Sequence, residues 1–240
     1  MPTADSIIYL KKSLRSLWQH PRLSNLLSNV KYYHEWKAHL KPGRNSVDDQ
    51  KPWISFSAID FLEKIVDRNM RVFEYGSGGS TMFWTSRVKE LVSVEHDLFW
   101  YSNMKKKIDE LSLHNVRYVL SEPEQDANYY EKRFENPGDF ISSDKAYAGK
   151  NFEKYAKIID SFPNDYFDIV IVDGRVRPSC VQQSLPKLKK GGWLIIDNSE
   201  RKYYTAPFSF DRKSWKISIF AGAVPYTKDF SETSFLNKLI

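Results

Sequence analysis

A few carboxylates and glycines carry the chemistry that can be read from this chain. Arg71-Val-Phe-Glu-Tyr-Gly-Ser-Gly-Gly-Ser-Thr81 reads as a short buried strand ending in a carboxylate, then a glycine-rich turn, then the start of a helix. Val72 and Phe73 are β-prone. Gly76, Gly78 and Gly79 permit positive φ and let a ligand approach the backbone. Ser80 or Thr81 is placed to cap the helix that continues through Met82–Arg87, and such a turn offers free N–H groups to a cofactor. Glu74 selects the kind of cofactor. A dinucleotide-binding strand keeps an apolar residue there, because a pyrophosphate must come close; a carboxylate suits a cationic cofactor instead. Glu95 ends Leu91-Val-Ser-Val-Glu95 and lies 21 positions after Glu74, close to the ~20-residue offset of the acid that binds ribose hydroxyls in nucleotide-binding βαβ units. A second constellation stands at two later strand ends: Asp173 closes Ile169-Val-Ile-Val-Asp173, and Asp197-Asn198 closes Leu194-Ile-Ile-Asp-Asn198. Two carboxylates and an amide oxygen are hard donors suited to an octahedral Mg²⁺.

With its acidic strand end, glycine loop and second acid in this order and spacing, the chain resembles the class I S-adenosylmethionine-dependent methyltransferases. Phe73-Glu-Tyr-Gly-Ser-Gly78 stands in the place of their first motif and Val92-Ser-Val-Glu95 in the place of their second. The departure is that Gly79 takes a free position of the pattern and Ser80 takes its third glycine. The resemblance implies that Glu74 engages the methionine end of the cofactor through its amino group, directly or through water. Gly76, Ser77, Gly78 and Ser80 line it closely, Glu95 takes the ribose hydroxyls and His96 sits beside the adenosine. Ser121 and Glu122, ending the third strand, occupy the usual adenine position.

The second constellation is similar to that of metal-dependent O-methyltransferases of the catechol and caffeoyl-coenzyme A type. The similarity implies Asp173, Asp197 and Asn198 as Mg²⁺ ligands, the metal lowering the pKa of a substrate hydroxyl. The catechol enzymes carry a lysine three places after the first Asp; here Val176 stands there, between Arg175 and Arg177. Arginine is no base at neutral pH. Either the metal acidifies the hydroxyl unaided, or Asp173 or His96 accepts the proton. Arg175 and Arg177 have two readings: a clamp for a carboxylate or phosphate of the substrate, or partners for acids of a neighbouring insertion. Cys180 reads as a helix-packing residue, since methyl transfer to oxygen needs no covalent intermediate. The function expected is methyl transfer to a hydroxyl of a small molecule such as a sugar, phenol or natural product. The competing readings are a methyltransferase of nucleic acid or protein, an NAD-dependent oxidoreductase, which Glu74 argues against, and a non-catalytic protein that keeps the fold for binding or assembly.

The elements that must position these residues alternate. A helix over Ser57–Asn69 precedes strands Val72–Tyr75 and Leu91–Glu95. A helix Leu98–Leu111, a strand Val116–Leu120, a helix within Lys150–Ser161 and a strand Asp168–Asp173 follow. The unbroken apolar run of the last strand says that it is buried on both faces. A helix over Pro178–Lys189, a strand Gly192–Asp197 and a closing hairpin of Trp215–Phe220 with Glu232–Leu236 complete the order. The expected fold is α/β: a Rossmann-like doubly wound sheet, mostly parallel, with a terminal antiparallel hairpin, the seven-stranded methyltransferase fold. Residues 122–149 read as an insertion leaving the ligand-binding edge of the sheet, either a substrate lid or a surface excursion.

Composition bounds the rest. The 240 residues suffice for one sizeable core, expected as a catalytic domain over 51–240 preceded by a helical extension and linker over 1–50. No apolar run is long enough for a membrane span, the first residues lack a signal-peptide pattern, and the single cysteine fits a reducing cytoplasm. Residues 1–44 hold eight Lys/Arg against Asp5 and Glu35, which is the entire formal net charge of +6. Such an arm can meet nucleic acid or an anionic surface. The preferred expectation is two amphipathic helices, Ile7–Trp18 and Leu23–Leu40, bordering the substrate entrance. Trp18, Tyr32, Tyr33 and Trp36 would pack on the main domain, leaving nucleic acid an unfavoured partner and a homodimer an open option.

Overall fold

The computed structural model describes residues 4–21 and 23–240. Arg22 of the basic arm and the first three residues lie outside them.

The sheet is built from strands whose successive side chains enter opposite faces. Its strands are β1 (Arg71–Tyr75), β2 (Glu90–Glu95), β3 (Val116–Leu120), β6 (Phe167–Val172), β7 (Leu188–Asp197), β8 (Trp215–Ala223) and β9 (Phe230–Lys238). The intervening β4 (Glu124–Gln125) and β5 (Lys150–Asn151) form a separate two-stranded ribbon. The seven strands are ordered β3-β2-β1-β6-β7-β9-β8. All pairs from β3 to β7 are parallel, and β9 runs antiparallel to both β7 and β8. The mostly parallel sheet and its closing hairpin are therefore as expected.

Phe73, Tyr75, Val170, Val172, Leu194 and Ile196 point to one face, where they meet Tyr155, Ala156, Cys180 and Val181. Those four belong to α6 (Glu153–Lys157) and α7 (Arg177–Ser184). Val72, Ile169, Ile171 and Ile195 point to the other face, against Phe56, Ile59 and Leu62 of α3 (Phe56–Ile65) and Phe83 and Trp84 of α4 (Gly79–Thr85). Each fully buried Ile, Val or Phe of this kind contributes ~1.5–3 kcal/mol, which explains the unbroken apolar runs of β6 and β7. Helix α5 (Leu98–Glu110) adds Met104 and Ile108 to a smaller cluster with Met82.

Several boundaries differ from the sequence reading. Helix α3 stops at Ile65 rather than Asn69, because Val66 is extended and the Asp67 carboxylate accepts from the Asn69 N–H at 2.8 Å. Helix α7 ends at Ser184, ahead of Pro186, and Leu188 already pairs with Phe167 as the first residue of β7. Only Glu153–Lys157 of the expected 150–161 helix is α-helical; Ile158–Ser161 tightens to a 3₁₀ turn. Residues 122–149 are pinned at their base by the β4–β5 ribbon and bury Phe140 and Ile141 against the body.

The basic arm forms α1 (Ala4–Gln19) and α2 (Leu23–His39). These pack on each other and on β8. Tyr32 and Trp36 are buried and Tyr33 half-buried, as expected, and Tyr9 is buried with them, but Trp18 is 84 % exposed.

Candidate active site

The carboxyl ends of β1, β2, β6 and β7 open into a cleft made of two adjoining cavities. One, of about 420 Å³, is lined by Gly76, Ser77, Glu95, His96, Trp100, Tyr147, Asp173 and Arg175. The other, of about 440 Å³, is lined by Ser46, Trp53, Ser77, Gly78, Ser80, Trp100, Asp173, Asp197, Asn198, Thr227 and Asp229. Ser77, Trp100 and Asp173 belong to both. Pockets of this size suit a small ligand.

The glycine turn is shaped by its neighbours. Gly76 has φ +89°, and a Cβ there would lie 2.8 Å from the Cα of Gly174, so the β1 and β6 loops touch backbone to backbone. A Cβ on Gly79 would lie 2.2 Å from the Ser46 carbonyl. The polar segment read as a linker is thus a wall of the site, pressed onto the turn. Thr81 supplies the expected cap from inside the helix: Gly78 N–H donates to Thr81 Oγ1 at 3.0 Å, and that hydroxyl donates to Glu74 Oε2 at 2.6 Å.

Glu74 lies beneath the turn rather than lining the cleft, which corrects only the direct form of the expected contact with cofactor. It is completely buried. One oxygen accepts from Thr81 and from Ser93 at 2.5 Å, while Oε1 is buried without a partner. Burial pushes its pKa up to about 7, against the hydroxyls of Ser80, Ser93 and Thr81. Its side chain follows the pleat: Phe73 and Tyr75 face α6, so Glu74 faces α4.

Glu95 does line the cleft. Oε2 accepts from the Ser77 N–H at 3.1 Å and the Ser77 hydroxyl at 2.8 Å; Oε1 accepts from the N–H groups of His96 at 2.7 Å and Asp97 at 2.9 Å. Burial raises its pKa, but His96, the Asp97 N–H and Ser77 outweigh it and hold the group below the ordinary carboxylate range. His96 Nδ1 faces Glu95 Oε1 at 2.8 Å, and Nε2 lies 2.9 Å from the Tyr147 hydroxyl. Nε2 is taken up on this side by Tyr147 and Arg175 and His96 does not line the second cavity, so the geometry does not make it the base for an acceptor there. Ser121 donates its N–H to the Glu95 carbonyl at 2.8 Å, and neither it nor the exposed Glu122 lines the cavities.

The two arginines part ways because Val176 adopts a left-handed conformation, φ 44° and ψ 45°. For a β-branched residue this is a strained state costing ~1–3 kcal/mol. Arg175 turns outward, 3.0 Å from Asp144 of the insertion and over the Tyr147 ring; the reading as a partner of the insertion is the one the contacts match. Arg177 turns inward and is 8 % exposed. Its Nη2 donates to Asp173 Oδ1 at 2.9 Å, its Nε to the Gly174 carbonyl at 3.1 Å, and its Nη1 to the Asp197 carbonyl. Tyr204 stacks on the guanidinium at 5.1 Å. Arg177 is therefore not an exposed clamp for substrate.

This arrangement decides the fit of a metal. Arg177 lies between the two carboxylates expected to hold Mg²⁺, with Asp197 Oδ2 at 4.0 Å, and Asp197 Oδ1 accepts from Thr233 at 2.8 Å. A fixed internal cation already serves these donors. Asp173, Asp197 and Asn198 do not fit a divalent cation, which corrects the expectation of a metal centre. Burial still outweighs Arg177, helped by the charge of Glu74 at Asp173 and by that of Asp173 at Asp197, raising the Asp173 pKa to about 6 and that of Asp197 to about 8.

Trp100, Tyr147, Trp53, Ser46, Thr227 and Asp229 are site residues that the sequence reading did not single out. Trp100 Nε1 donates to the Ser77 carbonyl at 2.9 Å, holding an indole against the turn. A tryptophan three residues after Asp97, at a helix start facing the ligand edge of the sheet, was the available signal. Thr227 and Asp229 lie in the hairpin loop, and nothing local in the sequence marks them.

No family model matches the chain, and no curated protein does. Solved structures do share its architecture. A Streptococcus mutans protein in complex with SAH superposes with a TM-score of 0.51 at 14 % identity, covering 75 % of this chain and 94 % of that one. An rRNA methylase from Streptococcus thermophilus gives 0.52 at 16 % identity over 79 % and 98 %. A methyltransferase from Geobacter sulfurreducens gives 0.51 at 12 % identity over 88 % and 97 %. At such identities the likeness is one of fold: this chain has the Rossmann-like, seven-stranded methyltransferase fold.

Proposed function

We propose that the chain is an S-adenosylmethionine-dependent methyltransferase acting on a hydroxyl of a small molecule. The observation that carries the reading is the charge of the cleft. Glu95, Asp97 and Asp173 line the first cavity beside the glycine turn, while its two arginines are tied to Asp144 and Asp173. A dinucleotide pyrophosphate would meet carboxylates there; a sulfonium or ammonium meets its complement. The SAH-bound neighbour of the same fold supports the same cofactor class.

When bound, the cofactor supplies an electrophilic methyl group. The chain's own residues do the rest. Ser77, fixed by Glu95 and by Trp100, shapes the floor, and Glu95 remains at the ribose position. Asp173 spans the two cavities, and its pKa near 6 suits a general base at neutral pH. Its Oδ1 is held by Arg177, leaving Oδ2 to take the proton of the acceptor hydroxyl. Asp197 and Asn198, with Trp53 and Asp229, orient the acceptor. Holding the two reactants in register can remove ~7–11 kcal/mol of barrier.

An RNA acceptor is the second reading, favoured by the rRNA methylase of the same fold and by the basic arm. The three carboxylates of the second cavity, Asp173, Asp197 and Asp229, disfavour a phosphate backbone next to them. A screen of hydroxylated small molecules and RNA with methyl-labelled cofactor separates the readings. Label in a small-molecule hydroxyl, in the presence of a chelator, supports the proposal; label found only in RNA replaces it.

A further inference from the structure

Helices α1 and α2 are amphipathic the wrong way round for a simple packed pair. Their inner faces bury Ser13, Ser16, Asn25 and Asn29 with Tyr9 and Trp36. Their outer faces expose Ile7, Leu10, Leu14 and Trp18 on α1, and Leu23, Leu26, Leu27 and Val30 on α2. Steps of three and four residues put each set in one stripe along its helix. The Tyr9 hydroxyl donates to the Asn29 carbonyl at 2.7 Å, so the helices lie side by side. Contiguous apolar patches of this kind mark interaction surfaces.

The charges beside the stripes identify the partner. Residues 4–41 contain only two acids, and both are tied inward: Asp5 to Lys228 and Glu35 to Lys51. Lys11 and Arg15 are exposed beside the α1 stripe, Lys37 is exposed in the last turn of α2, and Lys41 is exposed just past its end. Among the described residues none of the four has an ion-pair partner. A second copy of this chain would bring the same uncompensated cations against them. An anionic lipid surface complements both the charge and the apolar stripes, and Trp18 is the residue type that settles at such an interface. The helices are 16 and 17 residues long, about 25 Å at ~1.5 Å per residue, and no helix among the described residues is long and apolar enough to cross a membrane. The geometry points to a helix pair lying in the plane of an anionic phospholipid bilayer and docking the protein there through its outer face. This does not rest on the methyltransferase reading. The face is tied to the cleft, however: Lys12 of α1 pairs at 2.5 Å with Asp229, which lines the second cavity.

The test is co-sedimentation of the full chain with extruded vesicles of equal parts phosphatidylglycerol and phosphatidylcholine, and with phosphatidylcholine alone. The expected result is binding to the anionic vesicles, weaker by about tenfold or more on the neutral ones or at high salt. The combined variant Leu10→Ser, Leu14→Ser, Leu26→Ser and Leu27→Ser should lose this binding and keep the wild-type melt. Lys11→Glu with Arg15→Glu and Lys37→Glu should lose the preference for anionic lipid. A readout independent of these variants is quenching by brominated phosphatidylglycerol, present in the wild-type chain and reduced in Trp18→Phe. Equal binding to both vesicle types, or none, overturns the proposal, as does quenching unchanged in Trp18→Phe. A concentration-dependent dimer that the serine variant disperses would assign the face to a second copy instead. RNA binding abolished by the charge reversals but untouched by the serines would assign it to nucleic acid.

Discussion

Replacing Arg177 with methionine keeps the aliphatic stem and removes the cation between Asp173 and Asp197. The guanidinium makes one close carboxylate contact at 2.9 Å, a second at 4.0 Å and three carbonyl bonds. Breaking a buried pair from one side costs ~3–5 kcal/mol. The Asp173 side chain is 24 % exposed, so the lower end, about 3 kcal/mol, applies near neutral pH. At ~2–4 °C per kcal/mol for a chain of this size, the melting temperature should fall by ~6–12 °C. The deficit should depend on pH in a defined sense. Both carboxylates already have folded pKa values, about 6 and about 8, above the unfolded value. A raised carboxylate contributes stability that is present below the unfolded pKa and lost as pH rises through the folded one. Without Arg177 both values rise further, so the variant should lose little at pH 5 and most at pH 8. Thermal melts followed by circular dichroism across this range give the answer. A variant that melts with the wild type at pH 8, or a deficit larger at pH 5 than at pH 8, would refute the internal-cation account.

Four further outcomes follow from the same geometry. Exhaustive chelation should leave wild-type melting and turnover unchanged, and Mg²⁺ should raise the melting temperature of Arg177→Met but not of the wild type; a wild type that needs Mg²⁺ would restore the metal reading. Glu74→Gln should match the wild type at pH 5 and be the more stable at pH 9, since Glu74, with its pKa near 7, loses its contribution as pH rises through that value; denaturant melts at the two pH values check this. Gly76→Ala, forced to hold φ +89° with a Cβ 2.8 Å from Gly174, should cost upwards of ~1–2 kcal/mol and weaken cofactor binding, as read by melts and titration. Asp173→Asn should lower kcat steeply and weaken cofactor binding far less; equal losses in both would remove Asp173 as the base.

The strands and their order were legible because each is an apolar run closed by a polar strand end, and β6 and β7 are apolar on both faces. The glycine-turn side of the cleft was legible for a related reason: Gly76, Ser77, Gly78 and Glu95 are joined by local turns and one parallel pairing, so spacing encodes their meeting. The far wall of the second cavity was not. Ser46, Trp53, Thr227 and Asp229 reach the cleft from the chain before β1 and from the last hairpin, and no spacing rule links them. Arg177 was misread for a physical reason as well. Its direction is set by the left-handed turn at Val176, a conformation that a β-branched residue rarely signals. The inversion of α1 and α2 was hidden because periodicity shows two faces without saying which one is inside.

The central claim, a cleft built for a sulfonium cofactor rather than a pyrophosphate, is met most directly by titration calorimetry of the full chain with S-adenosylhomocysteine, S-adenosylmethionine and NAD. The account predicts one adenosyl ligand per chain, no measurable NAD binding, and a loss of ~1.5–3 kcal/mol of adenosyl affinity in Glu95→Ala, the scale of hydrogen bonds to a charged group. NAD binding tighter than either adenosyl ligand, or adenosyl binding that ignores Glu95→Ala, would contradict it.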